Sequence, residues 1–354
     1  MSSGRFSLRV AVSLGAFVIA ATLAPAQTPS SARLLVLLKG GPPDATWAGG
    51  GALAIVDPMT GKEVGRVPTG ENAHELTVSD DGKFAFLTAG VINGTDAGRR
   101  RFIYVIDVAA RKELRRVDIG PLSNPHGIKY AGGKVYFTAE GYKAIGRYDP
   151  AANRIDWWHG IGQNRTHMLV LSKDLKKIFT ANGDAGDRSS SDTVSIIEGS
   201  GPADWKVTVL PVRNGPEAIE ISPDGREVWT ATRTDGSVSV IDVATNKVTR
   251  TISVQTQGSN RLKFTPDGKL VLISDNPGGE LVVLDAVAGK VIKRLKTGRT
   301  TTGILVPPGG SRAYVAAEGD DNVAVIDLKT LEITNRLTFP PRSRPDGMAW
   351  VVMN

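Results

Sequence analysis

The segments EAIEISPDGREVWTA (217–231) and SVSVIDVATNKVTRTISV (237–254) together contain four short runs in which apolar and polar residues alternate. Each run is bounded by Gly, Pro, Asp or Asn. Alternation with a period of two and such boundaries is typical of β-strands joined by tight turns. The two segments therefore predict a four-stranded antiparallel sheet.

The same unit of four runs recurs along the chain. Its first run begins at residues 74, 126, 167, 217, 260 and 302, and its third run resembles FIYVID (102–107) or NVAVID (322–327). Four short strands in every ~40–50 residues are typical of a β-propeller blade. Because one blade cannot bury both of its faces alone, the units are expected to pack side by side in a ring.

The two ends of the chain supply one more blade. The run DGMAWVVMN (346–354) has the form of a lone first strand, and second, third and fourth strands are expected in RLLVLLKG (33–40), GALAIVD (51–57) and EVGRVPTG (63–70). This one-plus-three closure removes a free sheet edge. The sequence predicts an all-β fold in which residues 27–354 form a single seven-bladed propeller domain.

The repeats resemble the YVTN-type β-propeller family, which includes YncE-like bacterial exported proteins. The resemblance lies in the turns SPDG (222–225) and TPDG (265–268) and in the runs at 237–254 and 322–337, and it extends over the chain after residue 26. It implies the propeller fold but no single activity, because the scaffold hosts lactonases, lyases, oxidoreductase subunits and binding or surface proteins. Two units depart from the pattern, with AGGK at 131–134 and SKDLK at 172–176.

Residues 1–26 have the pattern of a secretory signal peptide. Arg5 and Arg9 precede an apolar run from Val10 to Leu23, and Ala24-Pro25-Ala26 follows it. A positive start, a short apolar centre and an A-x-A site predict export to the periplasm or the exterior, with cleavage after residue 26. The alternative is an uncleaved N-terminal anchor. After cleavage we expect no stable membrane span.

The composition excludes several classes of function. The 354 residues include no cysteine, which excludes a disulfide framework, a thiolate metal site and a cysteine nucleophile. The formal net charge of +7 favours anionic ligands or surfaces. Nucleic-acid binding through the basic face is a less favoured alternative, because a single strand would need aromatic stacking platforms and this face offers few. No Ser-His-Asp order, phosphate loop or dinucleotide fingerprint occurs in the right context. We expect a monomer.

The long loops all belong to one face of the predicted propeller. In an up-and-down sheet, the connection between the second and third strands lies at the end where the first strand begins. The long insertions at 39–51, 89–101 and 181–192 are all such connections. Binding residues concentrate on variable loops of a rigid scaffold, and Trp47 in the first loop is a candidate ligand contact.

Three of the four histidines start first strands on that same face. His74, His126 and His167 are expected around one mouth of the central channel, with Glu217 at the same position of the next unit. Imidazole and carboxylate suit Zn, Cu or Fe, so one interpretation is a transition-metal site. The alternative is that a polar side chain merely suits this rim. The remaining units place Asn260, Thr302 and Asp346 there.

Arginines are frequent just before these first strands. Arg165, Arg213, Arg299 and Arg344 predict, together with Asn260 and Asp346, a site for an anionic small molecule or an acidic protein partner. The alternative is that they are solvated loop charges.

A polar loop also carries a group of acids. Asp184, Asp187 and Asp192 could hold calcium, but the loop lacks the usual ligand spacing, which favours a plain polar loop.

The hypothesis favoured by the sequence is an exported binding or scaffold protein, because the repeat is regular and no complete catalytic set is visible. The alternative is a metal-assisted lactonase- or lyase-like enzyme with a three-histidine site at the channel mouth, formed by His74, His126, His167 and Glu217.

Overall fold

The computed structural model describes residues 31–40, 50–69, 73–89, 101–122, 124–183, 191–199 and 204–353, together with residue 1. In this part of the chain, strands β1 to β28 form seven four-stranded antiparallel sheets. The seven innermost strands contact each other in order, and the last contacts the first. The prediction of an all-β seven-bladed propeller is confirmed.

Blade 1 combines strands from the two ends of the described chain. Its order is β28 (Pro345–Val352), β1 (Ala32–Leu38), β2 (Gly51–Val56) and β3 (Glu63–Thr69), and β28 pairs antiparallel with β1. The predicted signal peptide at 1–26 and Trp47 lie outside the described residues, except for residue 1.

The other six blades are continuous in sequence, with the first-named strand innermost. Blade 2 contains β4 (Ala73–Val78), β5 (Phe84–Ala89), β6 (Phe102–Asp107) and β7 (Lys112–Asp118). Blade 3 contains β8 (Pro125–Ala131), β9 (Lys134–Ala139), β10 (Ala144–Asp149) and β11 (Arg154–Gly160). Blade 4 contains β12 (Thr166–Leu171), β13 (Lys177–Asn182), β14 (Thr193–Glu198) and β15 (Lys206–Pro211).

Blade 5 contains β16 (Pro216–Ile221), β17 (Glu227–Thr232), β18 (Ser237–Asp242) and β19 (Lys247–Ser253). Blade 6 contains β20 (Ser259–Phe264), β21 (Leu270–Asp275), β22 (Glu280–Asp285) and β23 (Lys290–Lys296). Blade 7 contains β24 (Thr301–Leu305), β25 (Arg312–Ala317), β26 (Asn322–Asp327) and β27 (Glu332–Thr338). Two 3-10 helices, Glu140–Tyr142 and Glu318–Asp320, follow β9 and β25.

The core lies between neighbouring blades, where the apolar residues of each alternating strand meet those of the next sheet. Between blades 5 and 6, for example, Trp229 and Val240 pack with Leu262 and Val282. Trp229 is fully buried, and burying such a side chain contributes about 1.5–3 kcal/mol. Seven such contacts hold the innermost strands as a rigid ring around the channel.

Among the described residues, no helix is long and apolar enough to cross a membrane.

Candidate functional site

Irregular pairing at the start of each innermost strand directs one side chain per blade toward the channel mouth. In blade 6, Ser259 pairs with Asp275 and Arg261 with Ser274, so that Asn260 has no partner on the second strand. The same irregularity occurs in every blade. Such bulges re-aim side chains. The residues concerned are His74, His126, His167, Glu217, Asn260, Thr302 and Asp346.

A second set of side chains reaches the mouth from the residue directly after the second strand. The pairings Pro125 with Ala139 and Thr301 with Ala317 put Glu140 and Glu318 at equivalent positions. A cavity of about 420 Å³ is lined by this set, by the seven bulge residues, and also by Arg165 and Arg261. The members of this set that line the cavity are Lys39, Glu140, Arg233, Asn276 and Glu318.

Threonines of the second strands fix the histidine backbone across blade boundaries. The Thr88 hydroxyl donates to the carbonyl of His126, and the Thr138 hydroxyl donates to the carbonyl of His167, both at 2.8 Å. At Gly347, an added Cβ would lie 2.5 Å from the carbonyl oxygen of His74. The neighbouring blades can therefore approach closely enough to bring their side chains together.

His167 lies between two carboxylates. Its Nδ1 is 2.6 Å from Glu140 Oε1, and its Nε2 is 3.4 Å from Glu217 Oε1. Burial alone would lower the pKa of His167, but Glu217 and Glu140 outweigh it and raise the pKa to about 10. Burial also opposes ionisation of Glu217, yet His167 and Arg233 lower its pKa to about 2. At neutral pH, His167 is therefore an imidazolium between two ionised carboxylates.

His126 and His74 are in the opposite protonation state. The ring centroid of His126 lies 3.9 Å from that of His167 and 5.0 Å from that of His74. Burial, followed by the charge of His167, lowers the pKa of His126 well below its usual value. Burial and the Lys39 ammonium lower the pKa of His74 to about 4. The site thus stacks a neutral imidazole on a protonated one.

The far side of the mouth is a compact ion cluster. The Lys39 Nζ atom is 2.7 Å from both Glu318 Oε2 and Asp346 Oδ2, and all three side chains are buried. His74 Nδ1 is 3.6 Å from the same Asp346 oxygen. Burial would raise the pKa of Asp346, but Lys39 and His74 hold it far below its usual range. Arg344 Nε donates to Glu318 Oε1 at 2.9 Å, which anchors the cluster to the loop.

Several buried polar atoms of the cavity have no hydrogen-bond partner among the described residues. Buried polar groups in proteins are nearly always paired, so such atoms call for a ligand or water. Both donors and acceptors occur in this set. The atoms are His126 Nδ1, His167 Nε2, Glu217 Oε2, Arg233 Nε, Asn260 Oδ1 and Asp346 Oδ1.

Eight of the residues expected at the channel mouth line the cavity: His74, His126, His167, Glu217, Asn260, Thr302, Asp346 and Arg165. Arg344 contacts the cluster through Glu318.

Arg213 and Arg299 lie apart from this cavity. Arg213 is largely exposed and its Nε is 3.9 Å from Asp235. Arg299 is bound by Asp320 in a groove between blades 6 and 7. Arg213 and Arg299 lie four and three residues before the bulge residues Glu217 and Thr302, whereas Arg165 and Arg344, which reach the site, lie two residues before His167 and Asp346. Trp47 lies outside the described residues, as do Asp184 and Asp187.

Lys39, Asn276 and Arg261 line the cavity but were not expected there. The residue directly after each second strand could have been predicted to reach the mouth, because the second strands of the blades align with one another in the sequence. Lys39 was missed because it is also the first residue of a long loop. Nothing in the sequence marks Arg261, which follows the bulge residue Asn260 and extends across the channel.

One group of potential metal ligands overlaps with the expected group but is not identical to it. Among the described residues, His126, Glu140 and His167 offer ligand atoms within 4.8 Å of one another. Glu140 takes the place expected for Glu217, and His74 is not part of the group, because its ring turns toward Asp346. Two imidazoles and a carboxylate are a donor set that suits Zn or another transition metal.

Comparison with known proteins supports the fold. Residues 177–296 match the family model described as "Lactonase, 7-bladed beta-propeller". The matched stretch is about a third of the chain and holds Glu217, Arg233 and Asn260, but none of the three histidines. No curated protein matches the chain significantly.

Solved structures share the whole architecture. A protein from Lactobacillus plantarum has a TM-score of 0.70 and 14% identity over 90% of this chain and 99% of its own. A candidate 6-phosphogluconolactonase from Bacteroides uniformis has a TM-score of 0.69 and 17% identity over 90% and 99%. A chain of Kuenenia stuttgartiensis hydrazine synthase has a TM-score of 0.65 and 18% identity over 79% and 90%. At these identities the likeness shows the fold alone. The fold and site define a seven-bladed propeller with a buried, charged cavity at one channel mouth.

Proposed function

We propose that this cavity hydrolyses a small hydroxylated lactone that carries an acidic group. One observation carries the proposal. The ring of a neutral imidazole, His126, lies 3.9 Å from that of a protonated one, His167, at a tilt of 32°. Among the described residues, His126 Nδ1 has no hydrogen-bond partner, and His167 Nε2 has only the ion-pair contact with Glu217 at 3.4 Å. Neighbouring groups whose pKa values are pushed apart are typical acid–base pairs. The partial match to a lactonase model supports the same reaction class.

The two histidines suit the two halves of ring opening. In the proposed reaction, His126 accepts a proton from water as its oxygen attacks the lactone carbonyl. The His167 imidazolium stabilises the resulting oxyanion through Nε2–H and supplies the proton for the leaving alkoxide. Proton transfer then returns both rings to their starting states. Glu140 keeps His167 protonated and oriented through the 2.6 Å contact at Nδ1.

The remaining polar atoms indicate what else the substrate carries. One terminal guanidinium nitrogen of Arg233 lies 3.0 Å from Glu217 Oε1. The Nε of Arg233 has no hydrogen-bond partner in the described part of the chain. Arg165 lies beside it in the lining. Guanidinium groups match carboxylate or phosphate. The unpaired oxygens of Asn260 and Asp346 are acceptors that fit hydroxyl groups on the ring.

Turnover of three lactones tests the proposal. Galactarolactone has an acid and hydroxyls, gluconolactone has hydroxyls only, and γ-butyrolactone has neither. We expect activity to decrease in that order, measured as proton release above the spontaneous rate. His126→Gln and His167→Gln should each lower kcat/KM by about 10²–10⁴-fold. His159→Gln is the matched control, because His159 lies on the outer strand β11. No hydrolysis above the blank with any lactone would refute the proposal.

A second candidate is metal-assisted hydrolysis, which the compact group of His126, Glu140 and His167 favours. A bound Zn, Cu or Fe ion would supply Lewis-acid chemistry there, and its binding would expel the proton from His167. Elemental analysis of untagged protein tests this. Stoichiometric metal that is lost in a His126→Gln, His167→Gln double variant, but kept in His159→Gln, supports it. Metal-free protein that is fully active removes it.

Three further expectations stay predictions. Binding of a galactarolactone-like anion without turnover would favour the binding or scaffold protein over an enzyme. Export through residues 1–26 is tested by the mass of the secreted protein, which should begin at Gln27. Membership of the YVTN-type family rests on the repeat turns at 222–225 and 265–268.

A further inference from the structure

An ion pair divides the central channel into two chambers. Arg261 on β20 is hydrogen-bonded to Glu75 on β4. These strands are separated around the ring by β24 and β28, so the contact crosses the channel. Arg261 lines both the cavity at the mouth and a second cavity of about 320 Å³ on the side of the short hairpins. We call this second cavity the lower chamber; Glu75 is also part of its lining.

The lower chamber contains two lysines that share one carboxylate. Lys263 is hydrogen-bonded to Glu220. The Lys129 Nζ atom lies 3.9 Å from the same Glu220 oxygen, which is beyond hydrogen-bond distance. The three residues come from β20, β16 and β8, so this cluster too spans the channel. Because Glu75 already neutralises Arg261, the two lysines and one glutamate leave a single excess positive charge.

The excess charge lies beside an apolar wall. Met168, Leu305, Met348 and Trp350 line the lower chamber together with the methylene chains of the lysines. About a third of the Lys129 side chain is accessible, so its ammonium can meet a ligand that enters from the hairpin side. The lower chamber therefore combines apolar and charged walls, and an apolar surface with a few convergent polar groups is typical of a small-molecule site.

We propose that the lower chamber binds a small monocarboxylate with a short hydrocarbon body. The carboxylate occupies the position between Lys129 and Lys263 that Glu220 leaves incompletely filled. The hydrocarbon body packs against Met348 and Trp350. The site is separate from the lactone cavity, and it does not depend on the function proposed there.

The electrostatics of Lys129 agree with this assignment. Glu220 alone would raise the pKa of Lys129, but the Lys263 ammonium and burial outweigh it and lower the pKa. A second anion beside these two ammonium groups removes that repulsion. Anion binding should therefore be tighter than at an exposed lysine pair, where water screens the charge.

Calorimetric titration of the full chain with hexanoate tests the proposal, with hexanol and chloride as comparison ligands. Hexanoate should bind, hexanol should bind at least about tenfold more weakly, and chloride should not displace hexanoate at equal concentration. Lys129→Met should weaken hexanoate binding by about tenfold or more. Lys290→Met, at the exposed start of β23, is the matched control and should bind as the wild type does. Equal binding of hexanol, or unchanged binding by Lys129→Met, would overturn the proposal.

A second measurement covers the case in which Lys129→Met does not fold. Acetic anhydride acylates accessible lysines, and mass spectrometry reports the extent at each. Hexanoate should protect Lys129 and leave Lys290 unchanged, whereas equal labelling of Lys129 with and without hexanoate refutes the site. Galactarolactone turnover should be unaffected in Lys129→Met, because Lys129 does not line the lactone cavity. Failure of either proposal therefore leaves the other standing.

Discussion

The two ends of the channel differ in whether their polar groups are hydrogen-bonded within the protein. On the hairpin side, the turn of blade 5 satisfies itself: Ser222 Oγ donates to Asp224 Oδ1 at 2.6 Å, and the backbone N–H of Glu227 donates to Ser222 Oγ at 3.0 Å. Blades 2, 4 and 6 repeat this arrangement. At the mouth, buried nitrogens and oxygens of His126, His167 and Glu217 have no such partners in the described residues.

This difference separates residues that build the fold from residues that serve a ligand. A turn whose polar groups are hydrogen-bonded to one another gains little stability from binding a ligand. A cavity with unpaired buried atoms carries a desolvation cost that a ligand can relieve. The repeat supplies the first kind of residue in four of the seven blades, and it leaves one position per blade free to vary for the second.

The largest expected effect concerns the carboxylate at the centre of the mouth. Glu217 faces His167, Arg233 and Asn260, so Glu217→Ala leaves cations buried without their partner. Removing one partner of a buried ion pair costs about 3–5 kcal/mol. We expect a loss of that size in urea unfolding. Glu332→Ala, at an exposed position of β27, should change stability little. A loss below that of an ordinary surface mutation would contradict the electrostatic description of the mouth.

The pH dependence of stability should reveal the same cluster. The folded pKa of His167, about 10, exceeds its ordinary value of 6.5, so the folded state holds more protons than the unfolded state between these pH values. The free energy of unfolding should therefore decrease as pH rises through that window, by up to about 1.4 kcal/mol per pH unit.

On the acid side the signs reverse. His74 has a folded pKa of about 4 and Glu217 of about 2, both below their ordinary values, so stability should also decrease as pH falls from 6.5 toward 2. Denaturant titrations across the range measure both limbs. His167→Gln should remove most of the alkaline slope, and an unchanged slope in this variant would assign the effect to other groups.

The sequence predicted the fold almost entirely, because each blade carries its own alternation and its own turn residues. It also predicted that His74, His126 and His167 would start inner strands on one face. It could not predict their protonation states. The protonation of His167 depends on Glu140, which lies in the 3-10 helix after β9 of the neighbouring blade, and on burial that only the assembled ring creates.

The sequence also could not predict which residues the long side chains in the channel contact. Arg261 and Lys129 both extend across the channel to residues of non-adjacent blades. Their partners depend on the channel width and on the glycines around it, rather than on any local spacing. Arg299 shows the converse, since it was expected in the site but lies in solvent, bound to Asp320.

A smaller effect should follow from weakening the hold on His167 without removing it. Glu140→Gln keeps the shape of the side chain but removes one of the two carboxylates beside the imidazolium. The pKa of His167 should then fall, and the alkaline limb of kcat/KM should move to lower pH by about one unit or more. Glu113→Gln, on the outer strand β7, is the control and should leave the limb unchanged. An unmoved limb in Glu140→Gln would show that His167 does not act as the acid.

The smallest expected effect lies on the hairpin side. Asp224 accepts hydrogen bonds from the Ser222 hydroxyl and from the backbone N–H of Arg226, which also lowers its pKa. Because this carboxylate is largely exposed, Asp224→Ala should cost no more than about 1 kcal/mol. Lactone turnover should stay at the wild-type level. Asp267→Ala, at the equivalent turn of blade 6, should behave in the same way, since its contacts with Thr265 and Lys269 are the same. Loss of turnover in both variants at full stability would mean that the hairpin side communicates with the mouth, and that the two ends of the channel are not independent.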